Sequence, residues 1–324
     1  MSLRMQNQGF SLLELSIVLV IIGLVTAGGI AMMLRSVDNT QKKITDFRMA
    51  VIQKALLDHR RAFRRLPCPG DPVVAISHAN FGVEAANPGR CMGGAPEARF
   101  VRTQSVTVSI VSGSPIATTT STADLVSGLY VANANFSGNS TTILSVDSAT
   151  QMTMASNATA TSASTSLQYN TIAAGAVPVK TLGLSDDFVA DGWGRRFNYV
   201  VSVPLTAPFA FDNVAISDVR QRIRIVLTGT TDKITNAAYA LISYGENGHG
   251  GFSRNGSVTL HNAGSVNTDE LINCDCNNAA VIQNSILYER IVQRLPTEDS
   301  TTRFNNFDDV VVFGTRQDLR SSLE

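Results

Sequence analysis

From Phe10 to Leu34 the chain reads FSLLELSIVLVIIGLVTAGGIAMML, a run of apolar and small residues broken by one charge, Glu14. A helix of that length rises about 37 Å, enough to cross a hydrocarbon core of roughly 30 Å, so the pattern predicts a membrane-spanning helix over 10–34. A cleavable secretory signal has a shorter apolar region, about 7 to 15 residues, and ends at a small-residue site. This run ends instead in MMLRS. Farther on, Ile44, Phe47, Val51, Ile52, Ala55, Leu56, His59 and Phe63 recur at spacings of three and four, with Lys42, Lys43, Arg48, Lys54 and Asp58 on the other face. That period predicts an amphipathic continuation over 35–66. Pro67 and Pro69 close it, because proline has no amide donor and restricts the residue before it.

The remainder lacks a helical period. A loop region over 67–101 holds Cys68 and Cys91, and the stretch 102–179 turns to Ser, Thr, Ala and Asn with almost no charge. Within it Val106–Val111 and Leu125–Val131 have strand content, which leaves a small β insertion or a flexible surface loop open. Over 180–324 the strand signals return at Arg222–Leu227, Ala238–Ser243 and Phe307–Phe313. The expected class is α+β, with a long N-terminal helix packed on an antiparallel sheet.

Composition narrows the function. Charged residues make up only 16% of the chain and the formal net charge is zero, which leans towards an exported protein and gives no firm nucleic-acid signal. Arg60, Arg61, Arg64 and Arg65 form a local basic patch, read as a solvated helix face in preference to a lipid or DNA contact. Four cysteines, Cys68, Cys91, Cys274 and Cys276, allow three complete pairings, and an oxidising compartment favours disulfides.

Glu14 carries the sharpest signal. A carboxylate inside a spanning helix costs on the order of 3 kcal/mol, so it needs a compensating partner or a shallow position. It stands in GFSLLEL, Gly9 to Leu15, behind the short polar leader MSLRMQNQ. This arrangement resembles the signal of type IV prepilins and type II secretion pseudopilins. The resemblance implies a leader at 1–9, cutting between Gly9 and Phe10 by a prepilin peptidase, and N-methylation of Phe10. It also implies a single-pass inner-membrane protein whose head lies in the periplasm, assembled with other subunits and an inner-membrane platform into a fibre. Cleavage creates an amine at Phe10 that the Glu14 of a neighbouring subunit can meet. Small residues Gly23, Ala27, Gly28, Gly29 and Ala31 would let such helices approach closely.

Head motifs carry the same resemblance. RLPCPGDP, Arg65 to Pro72, is similar to an LPCP element of one pilin-like group, in which a second cysteine follows; this implies a Cys68–Cys91 bridge. DGWGRR, Asp191 to Arg196, resembles a pseudopilin turn, with Gly192 in place of the usual proline. SYGENGHGG, Ser243 to Gly251, lacks the Lys-Ser or Lys-Thr and the helix of a phosphate loop. It resembles a head loop that in some pseudopilins binds calcium, which would place Glu246, Asn247, Asp308 and Asp309 as oxygen ligands; a purely structural turn is the other reading. In INCDCNNAA, Cys274 and Cys276 suit a local disulfide or another cysteine partner better than zinc, which needs four ligands. FDDVVVF, Phe307 to Phe313, resembles the closing strand of that group.

The expectation is a structural subunit of a pilus or pseudopilus, without catalysis and with calcium as the one cofactor considered. No nucleophile elbow or metalloprotease helix is present, and His59, His78, His249 and His261 are dispersed. The alternatives are a minor pilin for adhesion or DNA uptake, and a membrane-anchored periplasmic enzyme or binding protein.

Overall fold

A single unbroken helix, α1, runs from Leu12 to Phe63. The computed structural model describes residues 12–92, 100–208, 210–211, 223–227, 232–283, 290–294 and 306–321, leaving aside the side chains of 24–36, 232 and 320–321. Gly9 and Phe10 lie outside the described residues, as do the side chains of Ala27, Gly28, Gly29 and Ala31. The helix ends three residues before Leu66, the last residue of the expected continuation, because Arg64 turns left-handed (φ 53°) while its N–H still bonds the Arg60 carbonyl. A left-handed residue just past the last turn is a common helix stop.

The docked face of α1 is rotated from the expected stripe. Thr45, Met49, Ile52, Leu56, His59 and Arg60 are buried, whereas Ile44, Phe47 and Phe63 are exposed. The cause is polar. Thr45 Oγ1 accepts the Gly192 N–H at 3.0 Å, and Arg48 donates to the carbonyls of Ala190 and Asp191 at 2.8 and 3.0 Å. These bonds turn the Thr45–Arg48 side of the helix towards the head.

The Ser/Thr-rich stretch is ordered. β1 (Phe100–Ile110), β2 (Ile116–Thr119), β3 (Tyr130–Ala132), β4 (Ser140–Val146), β5 (Gln151–Met154) and β6 (Ser162–Ala176) pair antiparallel in the order β1-β2-β5-β4-β3-β6. β6 then pairs back onto β1, from Phe100↔Ala174 to Ile110↔Ser162, which closes a six-stranded barrel. Val108, Ile110, Ala117, Val131, Ile143, Met152, Met154 and Leu167 fill its interior. Thr103, Ser105 and Thr107 alternate outward on β1, and Ser164, Ser166 and Gln168 do so on β6. Closure leaves no free edge between the first and last strands.

β6 does not end with the barrel. Its last residues pair with β7 (Asn198–Ser202), from Ile172↔Ser202 to Ala176↔Asn198. β7 pairs with β9 (Asp232–Ser243), which also carries β8 (Ile223–Val226) and β11 (Val310–Thr315). These contacts are antiparallel, but β10 (Arg290–Val292) lies parallel to β8, so the head departs from an all-antiparallel sheet. The chain between them passes through β9 and α2 (Thr268–Cys274), the long return that a parallel pair requires. A short helix, α3 (Arg316–Ser321), follows β11. Met49, Ile52 and Leu56 of α1 join Tyr199, Val201, Tyr239 and Leu241 in the main core, which continues into the barrel.

Candidate functional site

Two features of the described residues point to function: the two-part helix α1, and a buried acidic cluster beneath the glycine-rich loop. The start of α1 exposes its apolar side chains, with Leu12 at 88% and Leu19 at 61%, alongside Leu13, Leu15, Ile17, Val18, Val20, Ile21 and Ile22. Such an apolar patch exceeds what a soluble surface ordinarily shows and marks an interaction surface. Glu14 sits in the first turn of this exposed stretch. Among the described residues no helix is long and apolar enough to cross a membrane. The predicted span 10–34 reaches into the residues left aside.

Farther along, through Gln41, Thr45 and Arg48, α1 meets the turn Asp191–Arg196. Asp191 is buried; its Oδ1 accepts the Trp193 and Arg195 N–H groups at 3.0 and 2.8 Å, and its Oδ2 accepts the Ser243 hydroxyl at 2.7 Å. Burial pushes its carboxyl up to about 6 against the pull of those hydrogen bonds. Gly192 explains itself here. Its N–H is spent on Thr45, and a Cβ would run into the Gln41 backbone, so a proline would lose the bond and collide with the helix.

The glycine-rich loop after β9 holds the acidic cluster. Gly245 (φ 57°) lets Asp308 lie directly against the loop, where a side chain would collide with it. The carboxylates of Glu270, Asp308 and Asp309 converge, with one oxygen from each within 4.8 Å of the others. Glu270 and Asp309 are buried and Asp308 is half-buried. Asn247 orients them: its backbone N–H donates to Asp308 Oδ2 at 2.8 Å, and its side-chain amide donates to both Glu270 oxygens at 2.9 and 3.1 Å. The Asp308 N–H reaches Glu270 Oε1 at 3.2 Å, and Asn273 donates to Asp309 Oδ2 at 2.9 Å. Asp308 Oδ1 and Asp309 Oδ1 are left buried without a hydrogen bond.

The two aspartates resist ionising in this setting. Burial, with the Glu270 charge beside it, pushes Asp308 up to about 8, and burial drives Asp309 well above the carboxylate range for the same reasons. Unpartnered carboxylate oxygens in an all-oxygen donor set fit a hard divalent cation such as calcium. Of the residues placed by sequence, Asp308 and Asp309 are in the cluster, and Glu246 is not among its converging carboxylates. The Asn247 side-chain oxygen accepts the His249 N–H, so Asn247 positions the acids with its donors. Glu270 was not singled out by sequence. It lies on α2, whose Asn267 cap accepts the Asp269 and Glu270 N–H groups, and the cap pattern Asn-x-x-Glu before an apolar pair is the signal that could have found it.

A disulfide joins Cys68 to Cys91 and another joins Cys274 to Cys276. The first ties the helix exit to the segment leading into the barrel. Near the second, His249 Nδ1 accepts the Ala263 N–H and Nε2 donates to the Asn277 carbonyl, so both ring nitrogens are committed. The arginine patch is dispersed: Arg65 pairs with both Glu84 oxygens, Arg61 pairs with Asp58, and Arg60 is buried over the Phe211 ring.

Together these features define a class: one long N-terminal helix, apolar and exposed at its start, carrying a large β-rich head with a closed barrel. Residues 4–30 match the prokaryotic N-terminal methylation motif, which supports the type IV pilin and pseudopilin signal at the start of the chain. No curated protein and no solved structure matches the chain.

Proposed function

We propose that this protein is a structural subunit of a type IV pilus or a type II secretion pseudopilus. Prepilin peptidase cuts it between Gly9 and Phe10, Phe10 is N-methylated, and α1 anchors the chain in the inner membrane with its head in the periplasm. Assembly then packs the exposed start of α1 against other subunits, with Glu14 meeting the new amine of a neighbour. The observation that carries this reading is the methylation motif at 4–30, continuous with a helix that is bare at Leu12–Ile22 and docked from Thr45 onward. No catalytic step is assigned to the head. Calcium, held by Glu270, Asp308 and Asp309, would neutralise the buried acids and fix the loop.

Mass analysis of the native N-terminus tests the processing. Loss of residues 1–9 with a methylated Phe10 is expected, and an intact leader or a cut beyond Ala27 would overturn the reading. Glu14→Ala should leave membrane insertion intact and abolish incorporation into fibres; normal assembly would remove the register role. The barrel favours one refinement, a minor subunit that displays a specific surface. A fibre in which this chain is the bulk component would speak against it.

A further inference from the structure

A second site lies on the outer wall of the barrel, away from the acidic cluster. A small open cavity of about 150 Å³ is lined by Arg90, Tyr130, Thr103, Gln168 and Asn170. Arg90 lies over the Tyr130 ring, its guanidinium carbon 4.1 Å from the ring centroid. This contact holds a planar, permanently charged fork on a rigid aromatic platform. Asn170 secures the floor: its amide donates to the Arg90 carbonyl at 2.7 Å, and its oxygen accepts the Thr103 hydroxyl at 3.1 Å. Both partners of Asn170 are therefore structural.

The remaining groups are unspent. Among the described residues no carboxylate pairs with Arg90, and neither the Tyr130 hydroxyl nor the Gln168 amide makes a hydrogen bond. A guanidinium, a phenol and an amide thus line one pocket without side-chain hydrogen-bond partners among the described residues. The guanidinium asks for a planar carboxylate, which it binds through two parallel hydrogen bonds. The phenol and the amide ask for hydroxyls beside that carboxylate. The cavity takes a group the size of one sugar ring, far smaller than a nucleotide.

We propose that this pocket binds an acidic sugar, a hexuronate or similar ring bearing one carboxylate, with Arg90 on the carboxylate and Tyr130 and Gln168 on ring hydroxyls. The assignment does not depend on the pilin reading, since it rests on the barrel wall alone. On a displayed head it would give the barrel a ligand.

Saturation-transfer NMR and calorimetry on the full-length protein in detergent test it, with sodium galacturonate, galactose and sodium acetate as probes. Galacturonate should bind, galactose and acetate should bind much more weakly, and raised salt should weaken the galacturonate signal. Arg90→Ala should weaken galacturonate about tenfold or more, the loss of a charge-assisted contact. Arg90→Lys keeps the charge without the fork and should recover part of that loss. Gln168→Ala, on an exposed position of β6, leaves the fold alone and should weaken binding severalfold. The proposal is overturned if galactose or acetate binds as tightly as galacturonate, if none of the three binds, or if Arg90→Ala and Gln168→Ala both bind like the parent.

Discussion

The barrel and the head sheet share a strand and a core, yet they bury different chemistry. Inside the barrel the buried side chains are aliphatic, methionine or aromatic, Tyr169 among them, and its buried polar residues, such as Thr122 and Thr141, are neutral. The head sheet and the helix docked on it instead bury Asp191, Arg196, Glu270 and Asp309, with His59 on α1. Apolar packing needs nothing from solution, whereas buried charges need a partner, a proton or a cation. The barrel should therefore be indifferent to pH and metal, and the head should respond to both.

The largest effect tests whether the two are separable. Met152→Ala empties a fully buried position on β5 and should cost the barrel about 2 to 5 kcal/mol, read by amide exchange of β4 and β5. Trp193 is the one tryptophan and sits on the head turn, so its fluorescence reports the head alone. An unchanged Trp193 transition would separate the regions; an equal shift would make them one cooperative unit.

Next in size is the Cys68–Cys91 bridge. Replacing both cysteines by alanine opens a 23-residue loop and should cost about 3 kcal/mol, falling on the Trp193 transition. Calcium at a hundredfold excess over its dissociation constant should then stabilise the head by about 2.7 kcal/mol, while amide protection inside the barrel stays constant. Glu270→Gln should remove most of that gain. A calcium response in the barrel, or none in the head, would break the contrast.

The smallest effect is the pH slope. Burial lowers the His59 pKa, outweighing the bond its Nδ1 donates to the Arg65 carbonyl. Below the ordinary histidine value of 6.5 the unfolded chain takes up a proton that the folded one resists, so His59 on its own costs stability as pH falls, while the raised Asp191, Asp308 and Asp309, which hold protons that the unfolded chain releases, pull the other way. Thermal melts followed by Trp193 isolate the histidine by difference: His59→Gln should gain stability relative to the parent as pH falls below the ordinary histidine value, and a constant difference between the two would remove the His59 contribution.

The same contrast explains what the sequence made legible. The helix could be read because its signals are local: a long apolar run, then a period of three and four. Its azimuth could not, because Thr45 and Arg48 are set by a turn more than 140 residues away. The barrel was half-legible. Val106, Val108 and Ile110 alternate with polar residues, but the outward Ser and Thr positions mimic a low-complexity loop, and closure joins Phe100 to Ala174. Asp308 and Asp309 stood out as an acidic pair before a strand. Glu270 did not, since only the fold carries α2 to them.

The fifteen-residue strand β6 has a mechanical consequence. It has β1 along one edge, and along the other β3 gives way to β7, so barrel and sheet are splinted by one continuous rod instead of being joined by a tether. A pull applied to the barrel wall is then carried along β6 into β7 as shear across several hydrogen bonds at once. Such a joint resists load better than one that unzips bond by bond, and it turns the barrel into a stiff handle on the helix.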